Sequence, residues 1–247
     1  MGVDWTALEE ALRVSALRHA AEVIREHPDQ DFYAIALYGV STDPDTPVAM
    51  PLLALNSLQA LERDRRTELR EQLVERGEDL DDEPTYEERP DAFDEPIDDA
   101  DAADAEDSDY EADAEDLDEV LNALEAELEG DDQESFYSDK WEPSDWHWSS
   151  IDLCEDVAAQ VWSEAIMKLA ELEGWETTIR RYYSSLVNVA ISLREELTVK
   201  VKPDLVTYVA DDDHAQRLLE LCLTPAQLAE HFPQLERGDK ELSGQQG

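Results

Sequence analysis

One segment of this sequence limits what the chain can fold into: residues 78–134 carry 29 acidic side chains and a single base, Arg89. Their net charge is −28, whereas all 247 residues together carry −45, so the rest of the chain shares only −17. Like charges at this density repel one another, and residues 98–118 contain almost no large apolar side chains to bury. The sequence therefore predicts a disordered acidic insert within a moderately acidic folded domain.

The net charge limits the kinds of partner that we expect this chain to bind, and the cysteines indicate the compartment in which we expect it to work. Nucleic acids and anionic membrane surfaces are themselves polyanions, so we expect this chain to bind neither unaided. No apolar run approaches the roughly 18 residues of a membrane span, and the N-terminus lacks the pattern of a signal peptide. Cys154 and Cys222 form no close pair and lie in helical patterns, which favours a reducing cytoplasm over a disulfide framework.

Hydrophobic periodicity predicts most elements of the folded part. The run FYAIALY at 32–38 is rich in aromatic and apolar residues and predicts a strand. Val48–Leu55 predicts the return strand of a hairpin, in which Pro51 indicates an edge strand or a bulge. The remaining predicted elements are helices over 4–26, 56–76 (capped by Asn56 or Ser57), 151–172, 177–196, 214–223 and 225–232 (capped by Thr224), and a strand over 205–209.

These elements lie on both sides of the acidic insert and predict one α+β domain. Residues 1–77 form its N-terminal part, 78–135 the largely disordered insert, 136–235 its C-terminal part and 236–247 a tail. The predicted strands favour a small antiparallel sheet packed with several amphipathic helices.

Three tryptophans fall within eight residues of the loop predicted over 136–150. Exposed, Trp141, Trp146 and Trp148 would form a stacking platform or anchor a protein partner. The alternative, which we favour, is that they clamp the loop onto the core through their large buried area. Because of the net charge, stacking on nucleic acid is the weakest form of the binding interpretation.

A second cluster, Asp211, Asp212, Asp213 and His214, follows the predicted strand 205–209. Adjacent carboxylates suit a hard cation such as magnesium, which makes a metal-dependent enzyme the alternative function. The interpretation that we favour is that these residues cap the next helix. The sequence holds none of the common nucleophile, phosphate-binding or zinc-peptidase motifs, so we assign no catalytic residue, no cofactor and no metal site.

Two motifs carry a resemblance to a known family. FYAIALY at 32–38 follows an N-terminal helix, and KWEPSDW stands at 140–146. They resemble the FYAFALYT-like strand and the RWSP-x-DW-like motif of the bacterial domain-of-unknown-function 4303 family, and the match covers about residues 4–76 and 137–232. The chain departs from the family at Gly39 and in having KWE in place of RWS. Some members resemble immunity proteins of bacterial toxin systems, so the resemblance implies a bacterial cytoplasmic α+β domain with a binding role and no catalytic residue.

The leading hypothesis is a non-enzymatic inhibitory or immunity-type protein that engages a basic protein, such as a nuclease toxin. Closely spaced carboxylates imitate a phosphate backbone and accelerate the encounter with a cationic surface. An alternative is that the acidic residues only increase hydration, as an adaptation to high salt or for solubility. Such an adaptation would spread the charge over the whole folded surface. The oligomeric state stays open. The residues predicted to bind are acidic side chains of the insert and the three tryptophans: Asp98, Asp99, Asp101, Asp104, Glu106, Asp107, Asp109, Glu111, Asp113, Glu115, Asp116, Asp118, Trp141, Trp146 and Trp148.

Overall fold

The structure is a computed structural model that describes residues 2–40, 44, 46–75, 136–198 and 204–235. The predicted insert at 78–135 and the predicted tail at 236–247 lie outside the described residues, so both stay predictions. The chain divides into two compact units, one of residues 1–64 with 134–247 and one of residues 65–133. Every strand found in the described residues, and each site described below, belongs to the first unit.

Four strands form a mixed sheet in the order β3–β2–β1–β4. β1 (Phe32–Tyr38) pairs antiparallel with β2 (Leu52–Ser57), and β2 pairs antiparallel with β3 (Trp148–Asp152). β4 (Val206–Val209) pairs parallel with β1. The α+β class is thus confirmed, whereas the expectation of a wholly antiparallel sheet is wrong. The chain reaches β4 only after two long helices, and a long connection of this kind allows a parallel neighbour.

β1 is a central strand, and its position explains its unbroken apolar run. Every residue from Phe32 to Leu37 is buried, and only Tyr38 is partly exposed. A strand with a neighbour on each edge and helices packed against it gains no benefit from alternating polar residues.

The structure differs from the sequence-based expectations for two strands, β2 and β3. β2 lies inside the sheet, and Pro51 precedes its first residue, Leu52, so the missing N–H of proline removes no hydrogen bond from the ladder. The sequence pattern predicts loop and helix over 148–152, but Leu53 pairs with Ile151 and Leu55 with Trp148 to form an edge strand. The sequence WSSID gives no clear alternation, so its pairing with β2 decides its conformation.

The described residues contain six α-helices, whose ends fall within two residues of the predictions except at the start of α3. Ser57 caps α2, since its Oγ accepts a hydrogen bond from the Ala60 amide at 3.0 Å, and Thr224 caps α6 in a capping box with Gln227. The helices are α1 (Trp5–Glu26), α2 (Leu58–Glu75), α3 (Asp156–Glu173), α4 (Trp175–Thr198), α5 (Ala215–Cys222) and α6 (Pro225–His231).

α4 is the central helix of the first unit. It packs on α1, α3, α5, β1 and β4, and it buries Tyr182 and Leu186 completely. The Tyr182 hydroxyl donates to the carbonyl of Ala49 at 2.9 Å, which satisfies the polar end of this buried ring. Within the described ranges, no helix is both long enough and apolar enough to cross a membrane.

Candidate functional site

The loop before β3 carries two of the three tryptophans into the core. Trp141 is 5 % exposed and Trp146 is 2 % exposed. Between them lies a short 3₁₀ turn, Pro143–Asp145, whose N-terminus is capped by the carboxylate of Glu142. In this conformation neither indole offers a face to a partner. The burial of both rings agrees with the clamp interpretation.

Backbone carbonyls of the loop tie this clamp to the sheet. The Lys140 carbonyl accepts hydrogen bonds from the Tyr33 hydroxyl at 2.7 Å and from Trp146 Nε1 at 3.1 Å. The Trp141 carbonyl accepts one from the buried Tyr208 hydroxyl at 2.5 Å. Tyr33 lies on β1 and Tyr208 on β4, so the loop is held by hydrogen bonds to the sheet as well as by apolar contact.

Lys140 also places its ammonium group against the clamp. Its Nζ lies 5.2 Å from the ring centroid of Tyr33 and 5.1 Å from that of Trp141, within the range of a cation–π interaction. This lysine therefore interacts with aromatic rings of its own domain, and its charge helps to hold the loop.

Trp148, the first residue of β3, is the tryptophan of the three that reaches the surface. Its half-buried ring lies 5.0 Å from the rings of Phe32 and His27 and 4.6 Å from the ring of His147, measured between centroids. His147 Nδ1 in turn lies 3.0 Å from a guanidinium nitrogen of Arg63 on α2. The Asp64 carboxylate lies 3.4 Å from both His147 Nδ1 and Arg63 Nε, so this edge of the sheet combines an indole, two imidazoles, an arginine and a carboxylate.

Asp211 serves as a cap. Its Oδ1 accepts a hydrogen bond from the His214 amide at 3.0 Å and also lies 2.9 Å from His214 Nδ1. Its Oδ2 accepts a hydrogen bond from the Tyr183 hydroxyl at 2.5 Å. Both carboxylate oxygens thus have partners within the fold, while Asp212 and Asp213 are exposed in the following 3₁₀ turn. Among the described residues, no group of three or more His, Cys, Asp or Glu side chains is placed to hold a metal ion. Asp211 thus caps the 3₁₀ turn Asp212–His214, whereas α5 begins directly after His214 with no side-chain cap, so the predicted cap lies on this turn and not on α5.

An open cleft of about 440 Å³ lies between α1 and the β3–α3 loop, lined by Arg18, His19 and residues 152–156. Burial, together with the adjacent charge of Arg18, lowers the pKa of His19. Burial and the nearby Asp152 raise the pKa of the Cys154 thiol, so the thiol stays protonated at neutral pH and is a weak nucleophile. Cys154 lies in the loop and not within a helix, contrary to the sequence pattern.

Several bases of the first unit pair with acids of their own chain. Arg13 pairs with Glu10 at 2.8 Å and also with Glu196, and Arg180 pairs with Glu176 at 2.7 Å. The full chain has 64 acidic residues and only 19 lysines and arginines, so these bases cannot neutralise its charge.

The twelve acidic residues predicted to bind, from Asp98 to Asp118, lie outside the described residues. Their role therefore stays a prediction. The structure brings Trp141 and Trp146 together in one clamp and places Trp148 apart from them at the start of the edge strand.

Comparisons with protein-family models, with curated proteins and with solved structures find no match to this chain. The resemblance based on FYAIALY and KWEPSDW accordingly stays a prediction.

One exposed apolar surface, on the side of α3 away from α4, is absent from the residues predicted to bind. Val157, Val161 and Leu172 are strongly exposed there, although all three belong to a predicted helix. Their spacing of four and eleven residues keeps them on one side of a helix, and that spacing was a signal available in the sequence.

Proposed function

We propose that this protein is a non-enzymatic binding protein of the inhibitory or immunity type and that it engages a basic protein. The observation that carries the proposal is the concentration of 29 acidic residues and one base within residues 78–134. Such a charge density attracts cationic surfaces over a Debye length of about 10 Å at 0.1 M salt and raises the rate of productive encounter. The nucleic-acid-binding face of a nuclease toxin has the required chemistry.

Two features of the described residues support the proposal that residues 78–134 attract the basic partner. Arg13 and Arg180 are already matched by acids of the same chain, so these bases do not offset the field of residues 78–134. Cys154 and Cys222 are free thiols, which fits a partner met in the reducing cytoplasm.

We propose that the edge of the sheet around Trp148 makes the short-range contacts that select the partner. Its half-buried indole adjoins His147 and Arg63, and aromatic and arginine side chains are the residue types enriched at energetically important positions of interfaces. Trp141 and Trp146 then act indirectly, because they hold the loop that leads into Trp148.

The test compares three chains as bait in a pull-down from the source cell. They are the parent, a deletion of residues 78–134, and a variant in which the twelve acidic residues from Asp98 to Asp118 are replaced by Asn or Gln. The amide variant keeps the length of the segment, so it separates the effect of charge from that of bulk. We expect a basic protein to be retained by the parent at about 0.05 M salt, released at about 0.5 M salt, and retained by neither variant.

The partner identified in this way is then purified and titrated directly. Association with the parent should slow steeply as salt rises, whereas dissociation should change little. Equal affinity of the parent and the amide variant for this partner, at both salt concentrations, would show that the acidic segment does not steer binding.

A further inference from the structure

One ring nitrogen of His147 lies between two groups that require opposite protonation states of it. A terminal guanidinium nitrogen of Arg63 lies 3.0 Å from His147 Nδ1, and Asp64 Oδ2 lies 3.4 Å from the same nitrogen. Arg63 Nε in turn donates a hydrogen bond to Asp64 Oδ1 at 3.4 Å. We call these three side chains the His147 cluster. Each is at least 40 % exposed, so the cluster exchanges protons with water.

The contact with Arg63 requires the neutral form of His147. A guanidinium group has five N–H donors and no acceptor, so the 3.0 Å contact is a hydrogen bond only when Nδ1 offers its lone pair. The single ring proton then lies on Nε2. In this state the charges of Arg63 and Asp64 cancel, and the cluster has no net charge.

The contact with Asp64 requires the protonated form. An ionised carboxylate only accepts hydrogen bonds, so Asp64 Oδ2 gains one from His147 only when Nδ1 carries a proton. The terminal nitrogen of Arg63 then loses its acceptor on the ring and faces a second cation, so this end of the guanidinium group moves away. One proton therefore exchanges one hydrogen bond for another and gives the cluster a positive charge.

The His147 cluster lies directly against the tryptophan that reaches the surface. The ring centroids of His147 and Trp148 are 4.6 Å apart, and the rings meet edge to face. The ring of His27, at the end of α1, also lies against Trp148 and is the other titratable group at this contact. The carboxylates of Glu142 and Asp145, in the preceding turn, accept hydrogen bonds from Ser144 within that turn.

We propose that the His147 cluster is a proton-driven switch that weakens the contact between the sheet edge around Trp148 and a basic partner as the pH falls. This inference rests on the proposed function, because it concerns the regulation of the same surface. An ordinary histidine titrates near about pH 6.5. Above that range the cluster adds no charge beside Trp148, whereas below it the new positive charge repels a cationic surface.

Nuclear magnetic resonance of the imidazole nitrogens tests the switch in the full chain without a partner. The chain has five histidines, and His147→Asn identifies the signals of His147 by their loss. We expect Nδ1 to be unprotonated and Nε2 protonated at about pH 8, and both to be protonated at about pH 5. The tautomer with its proton on Nδ1 at about pH 8 would overturn the switch, because Nδ1 could then accept nothing from Arg63.

Substitution of the two neighbours should shift the titration of His147 in opposite directions. Asp64→Asn removes a negative charge and should move the midpoint to lower pH, whereas Arg63→Gln removes a positive charge and should move it to higher pH. For exposed pairs we expect shifts of about 0.2–0.7 pH unit. Asp213→Asn removes the same charge as Asp64→Asn, but in the turn after β4 at the opposite edge of the sheet, and should shift the midpoint by less than about 0.1 unit. Shifts of the same sign, or equal shifts for the two aspartates, would also overturn the switch.

The basic protein retained in the pull-down tests the regulation. Titration of the parent should give an affinity at about pH 5.5 that is about threefold lower, relative to about pH 7.5, than the same comparison gives for His147→Asn. The Asn side-chain oxygen accepts from Arg63 as Nδ1 does but takes up no proton, so this variant stays in the neutral form. His27→Asn removes the other imidazole beside Trp148 and should keep the dependence of the parent.

The outcomes separate the switch from the proposed function. Equal pH dependence of binding in the parent and in His147→Asn overturns the regulation, although the proposed function stands. Failure to retain any basic protein overturns the proposed function and the regulation with it, whereas the resonance measurements decide the switch in either case.

Discussion

Replacement of Trp146 by alanine measures how much the loop clamp contributes to stability. The side chain is 2 % exposed, and its ring centroid lies 6.1 Å from that of Tyr33 and 6.0 Å from that of Tyr208. Truncating a buried tryptophan to alanine costs about 3–5 kcal/mol through lost apolar burial and the cavity left behind. The lost indole N–H adds little, because the Lys140 carbonyl still accepts a hydrogen bond from Tyr33 at 2.7 Å.

We therefore expect Trp146→Ala to lower the free energy of unfolding by about 4 kcal/mol, out of the roughly 5–15 kcal/mol of an ordinary domain. Urea unfolding followed by far-ultraviolet circular dichroism measures the change without relying on tryptophan fluorescence. Trp148→Ala is the control: its half-buried ring should cost no more than about 2 kcal/mol. A loss of less than about 1 kcal/mol for Trp146→Ala would refute the clamp and return Trp146 to the candidates for direct contact with a partner.

Two further predictions concern local features of the first unit. Ser57→Ala should lower the free energy of unfolding, measured by urea unfolding, by about 1 kcal/mol because the α2 cap is lost. The control Ser184→Ala, at an exposed position within α4, should change it by less than about 0.5 kcal/mol, and equal effects of the two substitutions would contradict the cap. Burial raises the pKa of Cys222 to about 11, so iodoacetamide at pH 8 should leave this thiol unmodified in the native chain and alkylate it in urea. Peptide mass mapping measures the labelling, and rapid labelling of Cys222 in the native chain would contradict its burial.

Local patterns in the sequence predict the helices and their caps well. The apolar spacing over 4–26 and the Thr224-Pro225 start of α6 depend only on neighbours within a few residues, and both are confirmed. Ser57 and Asn56 were equally good caps by sequence, and the choice between them depends on where β2 ends. That end is set by pairing with β1, a contact between segments far apart in the chain.

The same distinction explains the errors around 148–152. Trp148 and Ile151 become strand residues because Leu55 and Leu53 present an open edge to them, although their own sequence gives no alternation. The parallel pairing of β4 likewise follows from how α3 and α4 bring the chain back to the sheet, which no local pattern encodes.

By itself, the sequence determined the charge of residues 78–134, the α+β class and most helix limits, because these follow from residue type and short-range periodicity. Only the tertiary structure decided that Trp141 and Trp146 are buried, that Trp148 reaches the surface, and that one apolar side of α3 is left exposed. Burial is a property of what packs against a side chain, and the packing partners lie far away in sequence.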